Sequence, residues 1–252
     1  MTEGGKRLTG KDNILPKVTI ITVVLNAAAI LPAYLENVTG FLSDDVELVI
    51  LDGASTDETV GLLKQNNHLI NYWASKPDTG IYDAMNQAVQ YAQGQWVYFL
   101  GVDDTLLSDF KGIPAMLKNV STVYYANVIY YGQPFYKVYD DYYITKLNFI
   151  HQALFYPRGV FDTYQYDTQY KVYADYHLNL RLWKDAAYTF QHLDKLIASF
   201  PEGGYSSTVK DELFESRRDQ LFKQYLKPVS YYRYLNRTVG LWATLKRFIL
   251  DK

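Results

Sequence analysis

No cysteine occurs among the 252 residues, so the chain can form neither a disulfide nor a thiolate metal site, a composition that suits a reducing compartment. Excess charge of one sign is missing too. Lys and Arg number 25 against 27 Asp and Glu, a formal net charge of -2, which gives no electrostatic pull toward nucleic acid. The longest strongly apolar stretch, residues 18–25, is far below the ~20 residues that a helix needs to cross a bilayer. Residues 1–13 contain Lys and Gly but no apolar core of a secretory signal. The first strand-to-helix turn, Leu25-Asn-Ala-Ala-Ala29, lacks the G-x-G-x-x-G pattern, and no G-x-x-x-x-G-K-[ST] follows elsewhere. A dinucleotide fold and a P-loop nucleotidase are therefore disfavoured.

What is present reads as a soluble folded α/β protein. Hydrophobic residues make up 48% and charged residues 21%, near the averages for globular domains. Residues 1–16 read as a flexible leader. The β-branched run at 18–25 predicts a strand buried on both faces, followed by a helix over 28–39, a strand over 46–51 and a helix over 58–65. Ser55-Thr-Asp-Glu58 supplies a capping box for that second helix. A strand over 72–75, a turn over 77–80, a helix over 81–92 and a strand over 96–100 complete an alternation typical of a doubly wound sheet. Residues 17–104 thus read as a regular α/β half, with residues 105–206 as a second half.

Beyond residue 120 the pattern turns β-rich. It predicts a hairpin, 123–131 with 135–143, about Gly132-Gln-Pro134, then a strand over 149–155 and a helix over 175–184. Two short strands are expected near Tyr188 and Ile197. Residues 207–252 read as a helical C-terminal extension broken at Pro228. The 25 tyrosines are spread through these elements and are read as packing.

In an open α/β sheet, ligands bind beyond the carboxyl ends of the strands. Those ends are acidic here: Asp52 closes one predicted strand, and Asp103-Asp104 follow another. Such an edge holds phosphate only through a hard divalent cation, Mg²⁺ or Mn²⁺, which prefers carboxylate oxygens and bridges them to phosphate. Neighbouring residues in an extended segment face opposite ways, so one carboxylate of the pair can ligate metal while the other meets a ribose.

At these positions the sequence resembles the inverting glycosyltransferases of family 2, which have a GT-A fold, and especially those that build bacterial surface polysaccharides. The resemblance covers residues 17–210. It is carried by Val18-Thr-Ile-Ile-Thr-Val-Val-Leu-Asn26, Leu51-Asp-Gly-Ala-Ser-Thr-Asp-Glu-Thr59, Pro77-Asp-Thr-Gly-Ile-Tyr-Asp-Ala-Met-Asn86, Phe99-Leu-Gly-Val-Asp-Asp104, His151-Gln152, Ala174-Asp-Tyr176 and Gly203-Gly-Tyr-Ser206. It implies a metal-dependent enzyme with a nucleotide-sugar donor, a UDP-sugar by expectation, and a saccharide or lipid-linked acceptor, residues 17–104 being the nucleotide-binding half and 105–206 the acceptor half. Implied nucleotide contacts are Asn26, Asp52, Ser55, Asp78, Asp83 and Asp103, with Asp57 shaping the Ser55 turn. Asp104 is the implied metal ligand, His151 and Gln152 the implied substrate contacts, and Asp175 the implied general base. Gly101-Val102 replaces the small polar pair that relatives often carry there. The glycines at 203 and 204 suit a loop folding over donor, and His177 is read as structural.

Each assignment has a plainer counterpart. Ser55, Asp57, Asp83 and Asp175 all stand at predicted helix starts, where such residues serve as caps or favour the dipole. From Leu221 to Leu250 six cations and no acid stand among aromatic and aliphatic residues, a pattern that suits contact with an anionic membrane surface, packing on the catalytic domain, or self-association. The expected location is the cytoplasm, with the inner membrane face open through that segment. Two other functions fit less of the sequence: a non-catalytic nucleotide-sugar binding module, which would bind donor without turnover, and a sugar nucleotidyltransferase, whose glycine- and arginine-rich N-terminal loop is missing.

Overall fold

Six of the seven residues of the strand Val18–Val24 are buried, and they alternate between two packed layers. A computed structural model describes residues 1–10, 15–201, 203 and 209–250. In chain order its strands are β1 Thr2–Gly4, β2 Val18–Val24, β3 Val46–Asp52, β4 Tyr72–Ser75, β5 Trp96–Phe99, β6 Thr105–Leu106, β7 Thr122–Tyr130, β8 Gln133–Phe135, β9 Leu154–Pro157 and β10 Thr189–Ser199. Its α-helices are α1 Leu31–Thr39, α2 Thr59–Gln65, α3 Ile81–Val89, α4 Ile113–Met116, α5 Val160–Thr163, α6 Ala174–Lys184, α7 Glu212–Tyr225, α8 Pro228–Val239 and α9 Leu241–Leu250.

The strands form one mixed sheet in the order β1-β4-β3-β2-β5-β9-β7-β10-β6, with β8 beside β7. Strands β4, β3, β2 and β5 are parallel, and β9 runs against both β5 and β7. Parallel strands covered on both faces are near-continuously apolar, as β2, β3 and β5 are. On one face Ile20, Leu48 and Ile50 pack with Leu31, Tyr34 and Leu35 of α1. On the other, Ile21, Val49 and Leu51 pack with Ala84, Met85 and Ala88 of α3, and this layer continues through α6 into α7 and α8.

Several expectations need correction. The segment read as a flexible leader instead pairs Thr2–Gly4 antiparallel with β4. Its anchor is Glu47, fully buried in β3, which accepts hydrogen bonds from Arg7, Thr19 and the backbone of Gln93 and Gly94. Residues 11–14 lie outside the described ones. The predicted hairpin is reduced to the short β8, and most of the strand expected over 149–155 begins only at Leu154. The two strands expected near Tyr188 and Ile197 are one, β10, because its register shifts between His192 and Leu196 let a single strand track β7.

The C-terminal extension breaks at Pro228, which opens α8, and again at Gly240, whose φ of 85° favours glycine. Its cations turn largely onto the protein. Lys227 pairs with Asp141 at 2.7 Å, Arg247 with Asp219 at 2.8 Å, Arg233 lies over the Tyr142 ring, and Arg237 donates to the Thr145 carbonyl. Trp242 projects from the α8–α9 turn with 84% of its surface exposed. No helix of the described residues is long and apolar enough to cross a membrane.

Candidate active site

The carboxyl ends of β4, β3, β2 and β5 lie along one edge, and the acidic residues collect there. Asp52 pairs with Val24 on one side and Ser75 on the other. Its side chain is fully buried, accepting from the Ser55 hydroxyl, the Ser55 N–H at 3.0 Å and the Ser75 hydroxyl at 2.6 Å. Three donors hold the carboxylate without a cation. Two strands away in the sheet, β5 leads into the turn that carries Asp103 and Asp104, so both acidic positions follow strands of the same parallel set.

The loops after β2 and β3 are sewn together. Ser55 Oγ accepts from the Asn26 N–H at 2.7 Å, Asn26 Oδ1 accepts from the Thr56 N–H at 2.9 Å, and Asp57 accepts from the Ala28 N–H at 3.1 Å. Asn26 and Ala54 take left-handed φ values of 51° and 62° to make these turns. The expected capping box does not form, because the Ser55 hydroxyl is spent on Asp52 and Asn26. Asp57 instead accepts from the Thr59 hydroxyl and N–H, which holds its carboxyl below the ordinary range.

Asp78 closes over the same edge. A Cβ on Gly53 would lie 2.5 Å from its Oδ2, so any larger residue there would push the Asp78 carboxylate aside. Asp83 behaves differently: it accepts from the Thr79 N–H and hydroxyl and from Gln87, capping α3, and these donors hold its pKa below normal.

Asp103 is exposed and Asp104 is 4% exposed, separated by a turn rather than by strand alternation. Oδ2 of Asp104 accepts from the Gly101 N–H at 2.6 Å and the Gln152 amide at 3.1 Å. Oδ1 takes part in no hydrogen bond among the described residues. Burial and the neighbouring Asp103 push the Asp104 carboxyl up to about 6, against the pull of Gly101, Gln152 and His151. A carboxylate oxygen that no protein donor meets among the described residues, beside a second carboxylate, fits a hard cation that takes its remaining ligands from phosphate and water. No group of three or more acidic or imidazole side chains suited to a metal occurs among the described residues.

His151 and Gln152 form a single 3-10 turn before β9. While Gln152 reaches Asp104, His151 Nδ1 stands 3.4 Å from Asp175 Oδ2 in the first turn of α6. Tyr82 of α3 meets the same carboxylate at 3.2 Å. Asp104 and Asp175 are thus joined through two consecutive residues.

The profile of "Glycosyl transferase family 2" matches residues 19–178, well over half of the chain. The chain belongs to this family. A "PGL/p-HBAD biosynthesis glycosyltransferase" of Mycobacterium bovis is 36% identical over 216 residues, covering 80% of this chain and 84% of the relative, and one of Mycobacterium tuberculosis matches equally. Among solved structures, S. aureus TarS 1-349 in complex with UDP-GlcNAc superposes with a TM-score of 0.62 at 16% identity, covering 88% of this chain and 71% of TarS. The mannosyltransferase PcManGT from Pyrobaculum calidifontis, in complex with GDP-Man and Mn²⁺, gives 0.62 at 17% identity, covering 92% and 73%. These likenesses bear out the GT-A fold expected for the family 2 glycosyltransferase.

Of the residues singled out in the sequence, Asn26, Ser55 and Asp52 meet directly, Asp78 borders Gly53, and Asp104, Gln152, His151 and Asp175 form one connected row. Asp83 alone is directed into its own helix cap. Gly204, Tyr205 and Ser206 lie outside the described residues. Sequence reasoning passed over Ser75 and Tyr82: the first sits at the tip of the strand beside Asp52, and the second lies inside the quoted 77–86 motif.

Proposed function

We propose that this family 2 glycosyltransferase transfers a sugar, with inversion, from a UDP-sugar to a saccharide on a lipid carrier in surface glycolipid or polysaccharide synthesis. The observation that carries the reading is the row Asp104–Gln152–His151–Asp175 beside the buried Asp52, which sets a phosphate-side carboxylate and a base on one strand edge. Asp52, Ser55 and Asn26 would hold the nucleoside, with Asp78 and Asp103 nearby and Asp83 acting through the α3 cap. His151 and Gln152 would border the transferred sugar.

In this mechanism Asp175 takes the proton of the acceptor hydroxyl as its oxygen attacks the anomeric carbon from the face opposite the diphosphate. Asp104 would hold a divalent cation, Mg²⁺ or Mn²⁺, whose charge stabilises the departing diphosphate. Whether the sugar is a hexose or an N-acetylhexosamine is set by pocket contacts in the acceptor half. The lipid-linked acceptor belongs with contact at an anionic membrane surface through Leu241, Trp242 and Val239, which are exposed around Gly240.

A thermal-shift screen of nucleotide sugars with and without Mn²⁺ tests the donor and metal assignments. A donor present at about 100 times its Kd should stabilise the fold by roughly 2.7 kcal/mol. Asp104→Ala should lose most of that gain, and Asp175→Asn should keep it while transfer disappears. Equal stabilisation of wild type and Asp104→Ala would remove the metal assignment. Cosedimentation with vesicles of anionic lipid, compared with Trp242→Ser, checks the membrane contact.

A further inference from the structure

Asp175 is 7% exposed, and among the described residues no Lys or Arg pairs with it. A nearly buried carboxylate without a cation must be held by hydrogen-bond donors. Its two oxygens are held differently. Oδ1 accepts from the Tyr176 N–H at 2.7 Å and meets the Tyr82 hydroxyl at 3.2 Å, whose hydrogen it shares with the Val172 carbonyl at 2.5 Å. Among the described residues Oδ2 meets only His151 Nδ1, at 3.4 Å.

The imidazole is itself fixed. Its ring packs against Phe99 and Tyr166, with centroids at 5.3 and 6.1 Å, and the next residue is tied to Asp104. The titratable groups facing Asp175 are His151 and the phenols of Tyr82, Tyr156, Tyr166 and Tyr173, from α3, β9, the segment after α5, and the residue preceding α6. Only His151 and Tyr82 reach the carboxylate oxygens themselves.

We infer that Tyr82 and His151 are positioning residues that make the two oxygens of Asp175 inequivalent, leaving Oδ2 as the atom that receives the acceptor proton. The inference rests on the reading of Asp175 as the base. Tyr82 and the Tyr176 N–H occupy Oδ1 and prevent the carboxylate from turning over. His151 Nδ1 faces Oδ2 across 3.4 Å and leaves one lone pair of that oxygen toward the acceptor. In the step itself the acceptor oxygen bonds to the anomeric carbon, its proton moves to Oδ2, and the bond to the diphosphate breaks with its electron pair on the leaving oxygen. Neither positioning residue gains or loses a proton. Because Tyr82 stands on α3, three residues after Thr79 in the turn that follows Asp78, that loop and a hydroxyl that meets Asp175 share one helix start.

The test is steady-state kinetics over pH for wild type, Tyr82→Phe, His151→Leu, His151→Asn and Asp175→Asn, with thermal midpoint and UDP binding as folding controls. Tyr82→Phe and His151→Leu should lower kcat by about tenfold or more, with donor KM changed by less than about twofold. His151→Asn, which can restore an N–H, should recover the rate in part. Unchanged kcat in Tyr82→Phe and His151→Leu, with Asp175→Asn inactive, would overturn the positioning role while the base stands. Transfer by Asp175→Asn at the wild-type rate would overturn the base and the inference with it.

Discussion

A Cβ at position 101 would lie 2.7 Å from Asp104 Oδ2 and 2.8 Å from Asp103 Oδ1, so both carboxylates fold back over a residue that has no side chain. Gly101→Ala must displace at least one of them. Its kcat/KM should fall by about tenfold, roughly 1.4 kcal/mol of transition-state stabilisation, with little change in thermal midpoint because the site is a turn. A second residue-level test concerns His177, packed between Tyr170 and Tyr225, whose burial lowers its pKa from 6.5 to about 4. The unfolded chain binds this proton more readily, so the contribution is full above pH 6.5 and is lost as pH falls toward 4. Denaturant midpoints at pH 7 and 4.5 should differ less in His177→Phe than in wild type. Asp52 and Asp104 were legible in the sequence because a carboxylate directly after a buried strand has few structural uses. Tyr82 was not, since one tyrosine among 25 on an amphipathic helix looks like packing.

At the level of elements, the parallel strands and the helices between them could be read because β-branched runs and helical spacing are local signals. The acceptor half resisted for the opposite reason. Residues 136–153 carry aromatic side chains in no steady period, and their course is set by distant partners such as Tyr139 N–H to Tyr125 Oη and Asn148 Oδ1 to Asn179. The β10 bulge likewise depends on β7, which lies more than sixty residues earlier. The N-terminal strand was missed because three residues, Thr2–Gly4, have too little pattern, while their anchor is a buried ion pair between Arg7 and Glu47. Arg7→Met would strand that carboxylate and should cost on the order of 3 kcal/mol, measured as a shift in urea midpoint. Glu47→Gln together with Arg7→Met should recover part of the loss.

Across the whole molecule, the sheet is continuous but its two halves are cemented differently. The donor side is built from aliphatic layers, whereas the acceptor side and C-terminal helices meet through rings: Tyr176 stacks on Phe214, Phe222 meets Tyr234, and Tyr139 stacks on Phe149. Many of those rings also carry a hydroxyl bonded to an irregular stretch of backbone: Tyr82 to Val172, Tyr98 to Gln152, Tyr139 to Asn148 and Tyr176 to Ile144. Burial raises all four phenols above their usual pKa of 10.0. Stability from these groups is therefore intact below pH 10 and drains away above it, as the unfolded chain ionises first. In mild alkali, at about pH 10 to 11, tyrosinate absorbance should appear together with loss of structure rather than before it. Phenolic protons thus act as rivets for loops that no ladder supports, and a base titration pulls them first from the backbone between residues 144 and 172.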